Sequence, residues 1–205
     1  MKRNLSILLA SLLVAAVAFA PIALAGPVGT MELNLGYAKS STELGSSTES
    51  LGGGVGFGAS YWRGVSPTVS WGGEVSVDNL GSADYTGVDA FATAYTENFK
   101  TNIVRITPAV RVNFGSLVGP SFYAQGGAGL YKVSWKYRYE DVAQVVTADD
   151  SSTKFGMNLG AGVGFPVAPT TRMNFSASYH IVPGNDVNMT DTNNLQLRAG
   201  IGFNL

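Results

Sequence analysis

Downstream of residue 26, apolar and polar side chains alternate with a period of two in eight successive stretches. That pattern predicts strands whose two faces meet different surroundings. The clearest stretch places Phe155, Met157, Leu159, Ala161, Val163 and Phe165 on one face, with Lys154, Gly156, Asn158, Gly160, Gly162 and Gly164 on the other. In the first, Met31, Leu33, Leu35 and Tyr37 face away from Glu32 and Asn34. The second interleaves Val55, Phe57, Ala59 and Tyr61 with Gly56, Gly58 and Ser60. The third sets Val69, Trp71, Val75 and Val77 against Ser70, Glu74 and Ser76. The fourth sets Val104, Ile106, Val110, Val112 and Phe114 against Arg105, Thr107, Arg111 and Asn113, and Pro108 inside it predicts a bulge or local break. The fifth, Ser121 to Tyr139, changes parity. Phe122, Ala124, Ala128 and Leu130 share one face, while Tyr131, Val133, Trp135 and Tyr137 share the other, which predicts a bulge near Gly129. The seventh sets Met173, Phe175, Ala177, Tyr179 and Ile181 against Arg172, Asn174, Ser176, Ser178 and His180. The eighth sets Leu195, Leu197, Ala199, Ile201, Phe203 and Leu205 against Gln196, Arg198, Gly200 and Asn204.

Short and long connections alternate between these strands. Residues 64–67, 115–119 and 167–170 read as tight turns, and 39–51, 79–99, 140–152 and 183–193 as long polar loops. Alternation of this kind, with an even strand count, is expected of a transmembrane barrel with both termini on the short-turn, periplasmic side. Period two alone does not say which face meets the lumen, because a soluble lipid-binding barrel is apolar inside. Three features favour a polar lumen and an apolar exterior. The polar face carries Glu32, Glu74, Arg105, Arg111, Lys154, Arg172 and Arg198, of both signs. Aromatic residues gather toward strand ends (Tyr37, Tyr61, Phe114, Phe155, Phe165, Tyr179, Phe203), where interfacial girdles belong. The four long loops lie on one side. The predicted fold is all-β: an eight-stranded antiparallel transmembrane β-barrel, closed because every backbone N–H in hydrocarbon needs a partner.

The N-terminus assigns the compartment. Lys2 and Arg3 precede the apolar run Leu5–Phe19, and Ala23-Leu24-Ala25 supplies the small residues of a signal-peptidase site at Ala23 and Ala25. Residues 1–25 are therefore expected to be a cleaved signal peptide and 26–205 one barrel domain. Without Lys2 and Arg3, 11 basic residues face 14 acidic ones, a net charge near −3 that gives no reason to expect nucleic-acid binding. The chain has no cysteine, which excludes a disulfide framework, a thiolate metal site and a lipoprotein anchor.

The last eight residues, Arg198-Ala199-Gly200-Ile201-Gly202-Phe203-Asn204-Leu205, read polar-x-Gly-x-x-apolar-x-apolar. Arg198, Gly200, Phe203 and Leu205 in this pattern resemble the C-terminal signal of outer-membrane barrels, with Leu205 standing where that signal usually has an aromatic residue. With the leader and the eight strands, residues 28–205 resemble the small OmpA/OmpX/OmpW-like barrels. The resemblance implies a bacterial outer-membrane location, contact with outer-membrane lipids and lipopolysaccharide, and insertion by the barrel-assembly machinery. It also implies a monomer, with no periplasmic domain expected after Leu205.

Candidate chemistry is sparse. An eight-stranded barrel is just wide enough for side chains to fill, so the lumen charges are expected to pair and plug it, and a porin would need more strands. A narrow path for small hydrophobic solutes is the alternative activity. His180 is the only histidine and a candidate general base, with Ser178 on the same face. Lipid A-modifying barrels that use His and Ser carry them in the opposite order and toward lipid, and no acid on this strand orients His180, so no catalysis is expected. Acidic residues of the loops (Asp84, Asp89, Glu97, Glu140, Asp141, Asp149, Asp150, Asp186, Asp191) match no calcium-loop spacing. Gly52–Gly56 has no following helix to cradle a phosphate. Neither a cofactor nor a metal is expected. Trp135, Tyr137 and Tyr139 extend past the ~9–11 residues that cross a bilayer. The fifth strand is thus expected to protrude and offer an edge to an external surface or host ligand. The role that emerges is envelope structure or surface interaction.

Overall fold

The computed structural model describes residues 29–40, 43–44, 47–50, 52–88, 93–115, 119–183 and 192–205. The signal-peptidase residues Ala23 and Ala25, and Asp89, Asp186 and Asp191, lie outside the described residues. Eight strands form the barrel: β1 (Gly29–Ser40), β2 (Gly53–Gly64), β3 (Val69–Val88), β4 (Ala94–Gly115), β5 (Ser121–Asp141), β6 (Val145–Ala168), β7 (Thr171–Ile181) and β8 (Asn194–Asn204). A two-stranded ribbon, Glu43–Leu44 with Ser47–Ser50, lies between β1 and β2. Each barrel strand pairs antiparallel with its sequence neighbour, and β1 pairs with β8 to close the ring. Closure brings the start of β1 and the end of β8 together on the short-turn side, where Thr30 faces Asn204 and the Leu205 N–H donates to the Gly29 carbonyl at 2.8 Å. At the same end, the Val65 and Ser66 N–H groups donate to Val69 O and tie the β2–β3 turn.

The alternation read from the sequence fixes the faces of most strands. Leu33, Leu35, Met157, Leu159, Leu197 and Ile201 point outward and are exposed, whereas Glu32, Arg105, Arg111, Lys154 and Arg198 point inward and are buried. Apolar groups outside and charges inside are the arrangement that lipid, not water, stabilises. Tyr61 departs from its girdle neighbours. It keeps the outward parity but is buried, its ring lying where a side chain on Gly29 would have to be.

Strand length is where the fold differs from the sequence reading. β1, β2, β7 and β8 have 11 or 12 residues, whereas β3–β6 have 20 to 24. Residues 79–99 and 140–152, read as loops, are largely the tops of two hairpins. In them Ser82–Val88 pairs with Ala94–Lys100, and Tyr139 and Glu140 pair with Val146 and Val145. β3 to β6 thus rise together past the barrel rim as a four-stranded sheet.

The bulge expected near Gly129 does not exist. β5 keeps one register with β6 from Ser121↔Gly164 to Glu140↔Val145, and one with β4 on both sides of residues 127–130. Pro108 gives the local break expected of it and not a bulge: pairing of β4 with β5 lapses at Thr107 and Pro108 and resumes unshifted at Ala109↔Gly127. Among the described barrel strands the register shifts instead in β3 between Asn79 and Ser82 and in β6 between Pro166 and Ala168. Gly81 takes φ +93°, a left-handed conformation that costs glycine little, and its N–H is held by Asn79 Oδ1 at 2.8 Å.

Candidate functional site

The lumen is filled in layers. Nearest the short turns, a cavity of 950 Å³ opens between Thr30, Asn113, Arg172 and Asn204 and ends on Glu32, Arg111, Trp62 and Tyr123. Arg111 grips Glu32 with two nitrogens, Nη1 to Oε1 at 2.6 Å and Nη2 to Oε2 at 2.9 Å. Its guanidinium also lies 3.9 Å from the Trp62 ring and 4.0 Å from the Tyr123 ring. Three further donors satisfy the carboxylate: Ser60 Oγ at 3.2 Å, Trp62 Nε1 at 3.1 Å and Asn174 Nδ2 at 3.2 Å. A buried ion pair is tolerable only when the remaining lone pairs are satisfied in this way.

The next layer alternates signs across the barrel. Arg105 of β4 contacts Glu74 at 2.9 Å and Asp78 at 3.0 Å, and Arg198 of β8 contacts the same two acids at 2.6 and 3.4 Å. Gln196 bonds both Arg105 and Asp78, and Ser76 Oγ donates to Asp78 at 3.0 Å. Room for this layer comes from Gly56, opposite Asp78, where any side chain would occupy the space of the Asp78 carboxylate.

Above it, the Tyr131 hydroxyl and His180 Nδ1 stand 3.1 Å apart, and His180 is 1% exposed. An apolar cluster of Ala38, Leu80, Ile103, Tyr131, Val133 and Val182 then closes the lumen at the rim.

Of the seven charged residues singled out in the sequence, the structure joins five: Glu32 with Arg111, and Glu74 with Arg105 and Arg198. Arg172 instead donates to Ser121 Oγ at 2.6 Å at the mouth. Lys154 is 8% exposed and its Nζ finds no hydrogen-bond partner among the described residues. Arg198, Gly200, Phe203 and Leu205 lie on and just beyond β8, with Arg198 inside the lumen and Phe203 and Leu205 exposed outside. Sequence reasoning missed Asp78, Gln196, Trp62 and Tyr123. The signal for Asp78 was present, since it continues the parity of Glu74 and Ser76.

Outside the lumen, the polarity of both faces of β3–β6 inverts at one level. Outward positions run apolar through Val77, Val104, Leu130 and Phe155, then become Asn79, Asn102, Lys132 and Thr153, and higher still Lys100, Lys136, Arg138 and Asp149. Below that level the outward apolar run spans Phe122–Leu130 on β5 and Phe155–Phe165 on β6, lengths that match the ~9–11 residues needed to cross hydrocarbon. Above it the inner face is aromatic. Tyr95 stacks on Tyr139 with ring centroids 5.5 Å apart, Phe99 stacks on Trp135 at 6.1 Å, and the Tyr137 hydroxyl donates to Glu97 at 2.9 Å. The Tyr137 hydroxyl pKa is pushed up to about 12, first by loss of hydration and then by the Glu97 carboxylate. The fifth strand does protrude, as expected, but it offers no edge: β4 and β6 pair with it to the top. Among the described residues the open edges of the raised sheet belong to β3, which pairs with β2 only as far as Asp78, and to β6, which pairs with β7 only from Met157 downward.

The outer membrane protein beta-barrel domain family matches residues 6–203. The chain belongs to this family. Its place is the bacterial outer membrane. Among solved structures it is similar to Neisserial surface protein A, with a TM-score of 0.55 and 17% identity over 87% of this chain and 99% of that one. It is also similar to Ail, the attachment invasion locus protein of Yersinia pestis (TM-score 0.45, 17% identity, 86% and 99% covered). OprG of Pseudomonas aeruginosa aligns with a TM-score of 0.49 and 9% identity, over 88% and 96% of the two chains. At 17% identity the likeness to Neisserial surface protein A is one of fold. No curated protein matches the sequence.

Proposed function

We propose that this outer-membrane barrel is a non-enzymatic surface protein. In this reading its lumen is a structural plug and the raised sheet of β3–β6 is its contact with the cell exterior. The observation that carries the reading is the inversion of polarity on β3–β6, which places half of each long strand above the hydrocarbon with a polar outer wall and an aromatic inner face. A barrel serving only to fill the envelope needs no such extension. The short turns and both termini then face the periplasm, residues 1–25 are the leader removed after Ala25, and β8 carries the assembly signal at Arg198, Gly200, Phe203 and Leu205. The polar outer wall meets the lipopolysaccharide layer, and a self-closed ring has no need of a second copy.

Other activities fit less well. A path for small hydrophobic solutes along the axis would cross two layers of ion pairs, which only charged or strongly polar groups could replace. His180 is enclosed against Tyr131 inside the lumen, out of reach of lipid substrates. The test is adhesion of cells displaying the full-length chain, compared with cells displaying a variant in which β3–β6 end at the rim, joined by short turns. Loss of attachment to surfaces with the barrel still in the outer membrane is the expected result. Equal attachment by both would remove the sheet from the function.

A further inference from the structure

We propose that the inner face of the raised sheet, together with the open edge of β6, takes up an extended lysine- or arginine-rich segment of another protein as an added strand. This rests on the reading of the sheet as an interaction surface and names its partner. The first observation is the distribution of charge between the two faces. Above the rim every lysine and arginine of the sheet lies on its outer wall (Lys100, Lys132, Lys136, Arg138), whereas Lys154, at the foot of the β6 edge, points inward. The inner face carries Glu97, Asp141 and Asp150 and, among the described residues, no cation above the rim. These three carboxylates are bonded only to neutral donors. Glu97 accepts from the Tyr137 hydroxyl at 2.9 Å, Asp141 from the Ala143 and Gln144 N–H groups at 2.7 and 2.8 Å, and Asp150 from the Ser151 N–H at 2.7 Å. Carboxylates set among aromatic rings attract ammonium and guanidinium groups twice over, through charge and through the negative faces of the rings.

The second observation is the edge. From Val145 to Gly156, β6 is paired to β5 on one side, and among the described residues no strand lies on the other. Such an edge presents a row of unpaired backbone donors and acceptors to an incoming chain. Side chains of an added strand would alternate between the two faces. On the inner face they would lie beside Val146, Ala148 and Asp150, and on the outer beside Thr147 and Asp149. An acid therefore waits on each face of this edge. Asp149 stands opposite Lys136 in register, and among the described residues neither Asp149 nor Asp150 forms an ion pair. Backbone pairing supplies adhesion, and the acids select a basic sequence.

The experiment uses the full-length protein in detergent micelles and a fluorescent peptide of alternating lysine and threonine, long enough to span Val145–Gly156. A glutamate–threonine peptide is the control. Tight binding of the lysine peptide is expected, weakening with salt and falling about tenfold or more in Asp149→Lys/Asp150→Lys, because like charges brought together at an interface repel strongly. Glu97→Gln, which keeps the shape of the inner face, should weaken it less. Each variant is shown to be folded by its heat-dependent gel mobility. Equal binding of the glutamate peptide, or unaltered binding by both variants, would overturn the proposal. So would dimerisation of the protein itself that the Asp149→Lys/Asp150→Lys change abolishes, since the occupant would then be a second copy. If cells lose attachment when the sheet is trimmed and yet the lysine peptide does not bind, the surface role stands and this partner falls.

Discussion

Glu32 and Arg111 meet across the barrel lumen in a two-pronged ion pair, at 2.6 and 2.9 Å, although 79 residues separate them in the chain. Both are buried, and the guanidinium is held between the rings of Trp62 and Tyr123. Removing one partner strands a charge that is almost wholly buried, at the floor of the short-turn cavity. Glu32→Gln is expected to destabilise the barrel by about 3–5 kcal/mol, read from urea unfolding in micelles. Glu32→Gln/Arg111→Met, which removes both charges, should recover most of that loss. Equal losses in the single and double variants would show that the pair contributes by shape and not by charge.

Outside the barrel, cost should follow depth. Leu159 is 71% exposed at the middle of the β6 apolar run, so Leu159→Arg is expected to cost about 2–4 kcal/mol. Lys136 lies above the inversion level, and Lys136→Ala should change stability by no more than about 0.5 kcal/mol. The same unfolding curves measure both.

Two tryptophans report the level directly. Trp71 points outward on β3 within the apolar belt, and Trp135 stacks on Phe99 in the raised sheet. In single-tryptophan variants reconstituted into bilayers, brominated lipid chains should quench Trp71 strongly and leave Trp135 nearly unchanged. Comparable quenching of both would put the raised sheet into the membrane.

Tyr137 gives the sheet a pH signature. Burial and then the Glu97 carboxylate disfavour its ionised form and move its pKa from 10.0 to about 12. Because the folded value is the higher one, the contribution is complete below pH 10 and is lost as pH rises toward 12. Tyrosinate absorbance should show one late-titrating tyrosine that moves to lower pH in Glu97→Gln. An unchanged titration in that variant would leave Glu97 without a part in the shift.

The barrel was legible in the sequence because eight strands alternate cleanly where lipid meets one face and a polar lumen meets the other. The fifth strand shows where such reading stops. Leu130 ends one apolar parity and Tyr131 begins the other, which from sequence implies that the chain shifts by one residue. In the structure the chain runs straight and its surroundings change instead. Below Leu130 the outward face meets lipid, and above it the outward face, from Lys132, meets water while Trp135 and Tyr137 turn inward. Period two records which neighbours share a face, not what that face touches. For the same reason 79–99 and 140–152 looked like loops, since strands in water carry polar residues outside as loops do. Asp78 fell between a strand drawn to Val77 and a loop drawn from Asn79, so the second ion-pair layer lost one of its two acids. The pairing of Arg198 with Glu74, 124 positions apart in sequence, depends on ring closure and could not be read from either strand alone.

The most direct measurement concerns which side of the membrane the raised sheet occupies. The natural chain has no cysteine, so single cysteines can be placed without background: Thr147→Cys at the top of β6 and Ser66→Cys in the β2–β3 turn. Whole cells are treated with a membrane-impermeant maleimide. Labelling of Thr147→Cys on intact cells, with Ser66→Cys labelled only after the outer membrane is permeabilised, is the expected result. Labelling of Ser66→Cys on intact cells while Thr147→Cys stays protected would put the raised sheet in the periplasm and contradict a surface role.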